Sequence, residues 1–255
     1  MKTFKQYFLT EGTQKGFAYE INAANALKPF GIVPDDFTPA GSGSSIPDLM
    51  IQKNGKKVGC ELKITPTTAG SLVIHRKDGI WKLGKTFKII DGNEVPKEEK
   101  VLISDLANKY GVIDRLNKEW KADSYKFDIE DDKLSKEKKY QKDKATFQDI
   151  KGEIDATSIT NYYGLKSTPY FNIGTHGFYI GSSNPLGIKG VPNFADASKC
   201  IYRARVQPKG RRNYQFTLAM RFSIPSAKSK YNIAPCKKNN VKIDMKNLNL
   251  DWFLK

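Results

Sequence analysis

The sequence predicts an α+β fold, and three patterns along the chain indicate it. Residues 13–28 have the apolar spacing of an amphipathic helix. Two β-hairpin patterns follow before residue 90, and strand patterns return from about residue 168. Between them, residues 97–151 combine helical spacing with many charged side chains. Helices and strands that occupy separate stretches of a chain favour an α+β arrangement over a strictly alternating one.

The first predicted element is the helix over residues 13–28. Thr13 can cap its start, and Pro29 and Gly31 end it. One face of this helix carries Phe17, Glu20 or Ile21, Ala24 and Leu27. Glu20 therefore lies at the edge of the apolar face.

The first hairpin has the sequence PDLMIQK-NG-KKVGCELKI. Asn54-Gly55 is the strongest short-range signal for a two-residue turn, and this turn opposes Lys53 to Lys56 and Asp48 to Glu61. Side chains alternate along a strand, so one face is apolar and comprises Leu49, Ile51, Val58, Cys60, Leu62 and Ile64. The other face comprises Asp48, Met50, Gln52, Lys57, Gly59, Glu61 and Lys63. We expect the apolar face in the core and the other face in a cleft.

The rest of the chain gives weaker patterns. A second hairpin is predicted over SLVIHR-KDG-IWKL, with its turn at Asp78-Gly79. Residues 133–144 are almost wholly charged, which is typical of a solvated helix or loop. Strands are expected at 169–173 and 178–180, and a hairpin at 200–206 and 214–224. Helical spacing within 97–151 runs through Val101, Leu102, Leu106, Tyr110, Ile113, Leu116 and Trp120.

These elements favour one domain over residues 12–255, with its core at 13–90 and 155–225. The segment 97–151 is expected to be a charged helical insertion, and the strands after residue 168 to be additional C-terminal β-hairpins. Trp252, Phe253 and Leu254 are expected to dock as a terminal anchor.

The charge of the chain indicates a polyanionic partner. Lys and Arg number 43 against 27 Asp and Glu, giving a formal net charge of +16. Cations placed on phosphates release condensed counterions, so this excess favours binding to nucleic acid, with simple solubility as the alternative. No apolar stretch approaches the roughly 20 residues that a membrane span needs, so we expect no membrane partner. Three widely spaced cysteines form neither a disulfide framework nor a zinc pattern, which fits a reducing compartment.

The opposed carboxylates of Asp48 and Glu61 predict a cation between them. Directly opposed side chains have Cβ atoms roughly 5 Å apart, where two negative charges repel. A divalent ion with oxygen ligands meets that need, and the backbone carbonyl of Leu62 can add a ligand. With only two histidines in the chain, carboxylates must supply any metal site, and they select hard ions such as Mg²⁺, with Mn²⁺ as a substitute. The alternative is an ordinary exposed hairpin in which Glu61 pairs with Lys63 or Lys57.

Lys63 is two residues from Glu61 and therefore points into the same predicted cleft. There it can orient or help to deprotonate an attacking water, and it can offset charge on a phosphate.

Pro47-Asp48, a twelve-residue gap and Glu61-Leu62-Lys63 together resemble the PD-(D/E)XK motif of restriction-endonuclease-like nucleases. The resemblance implies an α/β core with a mixed sheet flanked by helices, and Mg²⁺-dependent hydrolysis of DNA phosphodiester bonds by water. It makes Asp48 and Glu61 metal ligands and Lys63 the catalytic lysine. The helix carrying Glu20 resembles the first helix of that fold, which implies a further ligand role for Glu20. A Glu at the edge of an apolar face can also be merely structural.

Basic residues near the predicted hairpins are candidate DNA contacts, and generic surface charge is the alternative. Arg203 and Arg205 alternate along one strand, so both project from the same face. Arginines on strands and turns suit phosphate contacts. Because one site cuts one strand, duplex cleavage would make a homodimer the expected state. The candidate contacts are Lys57, His75, Arg76, Lys77, Arg203, Arg205, Lys209, Arg211 and Arg212.

Residues 1–11 (MKTFKQYFLTE) resemble the capsid-targeting propeptides of internal head proteins in T-even-like phages. In that family a prohead protease cuts after Leu/Ile-x-Glu, and Leu9-Thr10-Glu11 matches. The resemblance implies a phage-encoded protein, with the prohead protease and the capsid as partners and packaging in the phage head. Without that processing, the segment is a frayed N-terminus and the expected location is the host cytoplasm.

Two further functions stay open. One is a structure-selective nuclease such as a junction resolvase. The other is a non-catalytic DNA-binding protein packaged in the phage head, against which the intact set of Asp48, Glu61 and Lys63 argues.

Overall fold

The structure is a computed structural model, and it describes residues 11–39, 47–77, 79–120, 135–209, 213–225 and 228–255. The expected leader therefore falls largely outside the described residues. The helices are α1 (Glu11–Leu27), α2 (Glu98–Lys109), α3 (Val112–Glu119), α4 (Lys136–Thr146), α5 (Ala156–Leu165), α6 (Phe194–Ala197) and α7 (Asp251–Leu254). The strands are β1 (Leu49–Lys53), β2 (Lys56–Lys63), β3 (Thr68–Lys77), β4 (Ile80–Leu83), β5 (Phe87–Ile90), β6 (Asn93–Pro96), β7 (Ile150–Ile154), β8 (Tyr170–Ile173), β9 (Gly177–Ile180), β10 (Lys199–Lys209) and β11 (Asn213–Ser223).

Helices and mixed sheets confirm the predicted α+β class. Among the described helices, none is both long and apolar enough to cross a bilayer. The chain separates into two compact units. Unit 1 comprises residues 1–67, 155–199 and 222–255, and unit 2 comprises residues 68–154 and 200–221. The segment expected to be a charged insertion thus belongs to a larger unit, which it forms together with strands from both sides of it in the sequence.

Unit 1 contains a four-stranded sheet in the order β1-β2-β8-β9. Its β1–β2 hairpin has the predicted register, with Leu49 opposite Cys60 and Lys53 opposite Lys56. Asn54 and Gly55 both have positive φ, 51° and 76°, as a type I′ turn requires. Strand β2 pairs in parallel with β8, and β8 pairs antiparallel with β9. Strand β2 therefore lies in the interior of the sheet, with a neighbour on each side.

The predicted apolar face of the hairpin packs into the core of unit 1. Its residues at 49, 51, 60 and 62 are buried, and those at 58 and 64 are half-buried against the same core. Helix α1 covers this face with Tyr19, Ala23, Ala24 and Leu27, so the predicted Ala24 and Leu27 are confirmed. The helix ends before Gly31, whose φ of 65° is left-handed, as predicted. Its start was wrong, because Thr13 lies inside the helix rather than at its cap.

The C-terminal segment completes the core of unit 1. Phe253 on α7 is buried and Trp252 packs against the same core, as predicted for the anchor, whereas Leu254 is exposed. Lys53 donates a hydrogen bond to the Phe253 carbonyl and holds its ammonium 5.7 Å from the ring centroid. Lys53 therefore ties the hairpin to the end of the chain.

Unit 2 contains a five-stranded sheet in the order β4-β3-β11-β10-β7 and the separate hairpin β5–β6. The β3–β4 hairpin confirms the second predicted turn, since Lys77 is opposite Ile80. The core of unit 2 includes the rings of Trp81, Trp120 and Phe147, with centroids 5.0–5.7 Å apart. The helical prediction for this region was right in kind but partly wrong in its buried face. On α2 and α3 the buried residues are Ile103, Ala107, Val112 and Leu116, and Trp120 directly after α3 is buried as well, whereas Val101, Leu102, Leu106, Tyr110 and Ile113 are only half-buried.

Candidate functional site

Asp48, Glu61 and Lys63 meet at the carboxyl end of β2, within unit 1. Lys63 Nζ forms an ion pair with Glu61 Oε1 and lies 3.9 Å from Asp48 Oδ2. One ammonium thus contacts both carboxylates, so all three side chains lie on the same side of the hairpin, as the register predicts. Glu61 is nearly buried, with a side chain 7% exposed, while Lys63 and Asp48 retain 22% and 23% exposure. The group is accessible from one side only.

The end of β1 explains how Asp48 is held. Pairing with β2 begins at Leu49, so Asp48 precedes the first paired residue of its strand. Its carboxylate Oδ2 accepts a hydrogen bond of 3.0 Å from the Leu62 amide. The side chain thereby satisfies a backbone donor of β2 beyond the last paired residue of β1. Because the N–H and C=O of a strand residue point to the same edge, the Leu62 carbonyl faces Asp48 as well.

Gly59 allows Pro47, and with it Asp48, to approach β2 closely. A Cβ atom at Gly59 would stand 2.6 Å from Pro47 Cγ and 2.6 Å from the Ser167 carbonyl oxygen. Both distances are well inside van der Waals contact. A side chain at this position would therefore displace the segment that carries Asp48.

Tyr163 on α5 is a member of the site that sequence reasoning missed. It is fully buried, and its hydroxyl donates a hydrogen bond to the Glu61 carboxylate. Burial raises the pKa of Tyr163 well above its ordinary value, and the Glu61 charge adds to the effect. Lys166, just beyond α5, places its ammonium 5.4 Å from the centroid of the Tyr163 ring. The tyrosine therefore orients Glu61 from the side opposite the solvent and connects it to a further cation.

Glu20 lies within electrostatic range of the same group. It is half-buried on α1, beside the buried Tyr19, whose hydroxyl donates to the Ala234 carbonyl at 2.5 Å. That bond fixes the helix against the C-terminal segment. The charges of both Lys63 and Glu61 act on Glu20, which places its carboxyl close to the site.

Two carboxyl groups of the site, those of Asp48 and Glu20, have raised pKa values. Burial, followed by the Glu61 charge, raises the pKa of Asp48 to about 8, against the opposing effect of Lys63. Burial raises the pKa of Glu20 to about 7, with Lys63 lowering it and Glu61 raising it. Burial lowers the pKa of Lys63, but the charges of Glu61 and Asp48 more than offset this and leave it above its ordinary value. Three carboxyl groups thus share one ammonium.

The donor set fits a hard divalent cation. When all three carboxyls are ionised, one ammonium leaves two negative charges uncompensated, and carboxylate and carbonyl oxygens are the ligands that Mg²⁺ prefers. Asp48, Glu61 and the Leu62 carbonyl would hold the ion, with Glu20 beside them. Within the described part of the chain, no three His, Cys, Asp or Glu side chains stand close enough together to form a ready metal cluster. The positive charge expected between Asp48 and Glu61 is supplied by Lys63 in this structure.

The predicted DNA contacts separate into exposed and structural residues. Lys57 is exposed in unit 1 on the strand face of Glu61, and His75 and Lys77 are exposed on β3 of unit 2. Arg76 has a different environment. Side chains alternate along β3, so Arg76 lies on the same strand face as the buried Leu72 and Ile74. Its guanidinium carbon lies 5.3 Å from the centroid of the Trp81 ring and 5.2 Å from that of the Phe147 ring. This aromatic packing gives Arg76 a structural role, and its predicted contact with DNA stays a prediction.

Two of the later arginines of the prediction lie on β10. Arg203 and Arg205 share one face of the strand, and Arg203 pairs with Asp149 through two nitrogens. Arg211 and Arg212 fall outside the described residues, and of Lys209 only the backbone is described.

Comparisons with protein-family models, with curated proteins and with solved structures find no match to this chain. The resemblance to PD-(D/E)XK nucleases and to phage propeptides therefore stays a prediction.

Proposed function

We propose that unit 1 is a Mg²⁺-dependent endonuclease that hydrolyses DNA phosphodiester bonds. The observation that carries this proposal is the meeting of Asp48, Glu61 and Lys63 at the carboxyl end of β2, with the charges of Glu61 and Lys63 acting on Glu20. Folded proteins avoid placing several carboxylates together without a cation, because burial and mutual repulsion both oppose ionisation. A site with excess negative charge on the protein side attracts a metal ion, and the ion in turn attracts a phosphate.

Each residue then has a separate part in the reaction. When bound, the ion supplies Lewis-acid stabilisation of the charge that develops on the phosphate. Lys63 is held protonated by its carboxylate neighbours, so it stabilises the phosphate as a cation rather than acting as a base. In this proposal Lys63 is not the group that deprotonates the attacking water.

The proton balance of hydrolysis assigns the base to a carboxylate. Water attacks phosphorus, the bond from phosphorus to the leaving oxygen breaks, the proton of the attacking water passes to a carboxylate, and the leaving oxygen takes up a proton from solvent water. Glu20 and Glu61 are the groups that can accept it. Tyr163 keeps Glu61 in orientation through its hydrogen bond, and Asp48 is fixed by the Leu62 amide.

Charge supports DNA as the polymer that reaches the site. The chain carries a formal net charge of +16. In unit 1, Lys57 lies on the site's face of β2, and Lys166 lies beside Tyr163. Both cations are placed to contact phosphates that flank the scissile bond.

A nicking experiment on supercoiled plasmid tests the proposal. The full chain is incubated with plasmid in Mg²⁺, in Mn²⁺ and in EDTA, and we expect nicking with either metal and none in EDTA. Asp48→Asn and Lys63→Met should each reduce the rate at least 100-fold. Asp35→Asn and Lys189→Met remove the same charges at exposed positions of unit 1 and should leave the rate within twofold of the wild type.

The outcomes separate the competing functions. Nicking that persists in EDTA, or in Asp48→Asn, would overturn the metal site. No cleavage of any DNA or RNA form would favour the non-catalytic DNA-binding protein. Cleavage restricted to four-way junctions among defined substrates would assign the structure-selective class instead.

A further inference from the structure

Unit 2 contains a pocket of about 430 Å³ between α4 and β10. Helix α4 contributes Tyr140 and Lys144, which are four residues apart and therefore share a helix face. Strand β10 contributes Arg203, Arg205 and Gln207, which alternate along the strand and share its outward face. The intervening Tyr202, Ala204 and Val206 are buried in the core. The volume is in the range of about 300–1,000 Å³ that small-ligand pockets occupy.

The pocket has a surplus of positive charge. Lys144, Arg203 and Arg205 line it together with one acid, Asp149. Asp149 pairs with Arg203 through two guanidinium nitrogens. Arg205 instead donates to the amide oxygen of Gln207, at 3.1 and 2.7 Å, and this partner carries no charge.

The surplus positive charge of the pocket therefore lies mainly at Arg205. Burial and the nearby charges of Arg203 and Arg221 lower the pKa of its guanidinium, and Asp149 opposes them only in part. Two guanidinium groups that line the same pocket repel each other, and an anion bound between them would offset this repulsion. The planar fork of an arginine matches a phosphate in particular.

An aromatic wall adds a second kind of recognition. The ring of Tyr140 lies half-buried at the pocket, 5.7 Å from the ring of Tyr214, whose hydroxyl bonds to the buried Asp143. Tyr140 is thus backed by a second ring that is itself fixed. Stacking on such a ring accommodates any base, because every base has a π-face. Gln148 and Gln207 offer amide groups that can bond to base edges.

We propose that this pocket binds one unpaired nucleotide, with its phosphate on Arg203 and Arg205 and its base on Tyr140. The inference goes beyond the nuclease proposal, because all of these residues belong to unit 2. The nucleotide can come from a single-stranded stretch of nucleic acid or from the free mononucleotide pool. Double-stranded DNA does not fit in the same way, since its bases are stacked and paired.

Anisotropy titrations in EDTA test the pocket without any contribution from cleavage. The probe is a fluorescein-labelled 12-residue oligothymidylate, and a duplex of the same length is the comparison. We expect the single strand to bind more tightly than the duplex, and Arg205→Gln and Lys144→Gln each to weaken single-strand binding at least fivefold. Lys118→Gln, which removes one exposed charge from α3 of the same unit, should change it less than twofold.

Competitors identify the source and the chemistry of the ligand. Thymidine monophosphate should displace the probe at lower concentration than thymidine or inorganic phosphate, because only the nucleotide engages both the arginines and the ring. Its displacing concentration also shows whether the free nucleotide binds without a strand. Equal losses in Arg205→Gln and Lys118→Gln would reduce the effect to bulk charge and overturn the proposal. Inorganic phosphate competing as well as the nucleotide would overturn the base contact. Neither result depends on whether the plasmid is nicked in Mg²⁺.

Discussion

We expect the carboxyl groups of Asp48 and Glu20 to make the metal-free protein less stable as the pH rises, and Asp48→Asn should remove the contribution of Asp48. An aspartic acid has a pKa near 3.9 in an unfolded chain, against about 8 for Asp48 in the folded protein. A carboxyl whose pKa is raised by folding stays protonated only in the folded state between these values. The folded state then binds more protons than the unfolded one, so the free energy of unfolding falls as the pH increases.

The size of the change in the free energy of unfolding follows from the pH interval between the two pKa values. Each pH unit contributes about 1.4 kcal/mol, so the interval from pH 5 to pH 8 sets a ceiling of about 4 kcal/mol. Asp48 is 23% exposed, and solvent screens part of the repulsion. We therefore expect the wild type to lose about 2 kcal/mol over this interval relative to Asp48→Asn. Asparagine keeps an oxygen for the Leu62 amide and has no charge at any pH.

Urea titrations in EDTA at pH 5, 6, 7 and 8 measure the difference. The two proteins should have similar free energies of unfolding at pH 5, and Asp48→Asn should be the more stable at pH 8. Asp35→Asn, an exposed carboxylate of the same unit, should run parallel to the wild type. Parallel curves for the wild type and Asp48→Asn would refute the claim that burial and Glu61 keep Asp48 protonated.

Four shorter predictions follow from the same site. Mg²⁺ binding at pH 7 should release about one proton per ion, since two carboxyls titrate near neutrality; calorimetry in two buffers measures this, and zero release would contradict it. Lys63→Met should lower the free energy of unfolding by about 3 kcal/mol, because it leaves the nearly buried Glu61 without its partner. An unchanged urea midpoint would contradict a stabilising role of the Lys63–Glu61 ion pair. Tyr163→Phe should cost about 1–2 kcal/mol by removing the hydrogen bond to Glu61, and no loss in thermal unfolding would remove Tyr163 from the site. Gly59→Ala should cost about 2 kcal/mol or more through its clash with Pro47 and weaken Mg²⁺ binding, whereas wild-type stability would show that the close approach is not required.

The hairpin was predictable because local rules determine it. Asn54-Gly55 sets the turn, the turn sets the register, and strand alternation then assigns every side chain to a face. These steps use only neighbouring residues, so the sequence alone places Asp48, Glu61 and Lys63 together. The C-terminal anchor was predictable for a similar reason, because an aromatic cluster in a polar segment has few alternatives to burial.

The features that could not be predicted from the sequence depend on contacts between distant parts of the chain. Tyr163 joins the site through α5, a helix whose buried side includes serine, threonine and tyrosine and which therefore lacks clear apolar periodicity. Arg76 resembled a surface cation because the rings that surround it, Trp81 and Phe147, come from different elements. Unit 2 was not foreseen as a unit, since its sheet combines strands from both sides of residues 155–199. Single-sequence periodicity contains no information on such pairings.

The position of β2 between β1 and β8 also has a kinetic consequence. The β1–β2 hairpin closes over a two-residue turn, which takes on the order of 1–10 μs in isolated hairpins. The β2–β8 pair instead joins residues such as Cys60 and Tyr170, and closure of so long a loop slows folding. The acidic pair thus belongs to a local hairpin, whose closure does not require the β2–β8 pairing. Interactions already present in the transition state change the folding rate rather than the unfolding rate. If the hairpin is formed in that transition state, an ion held by it would accelerate the folding of the chain more than it would delay its unfolding.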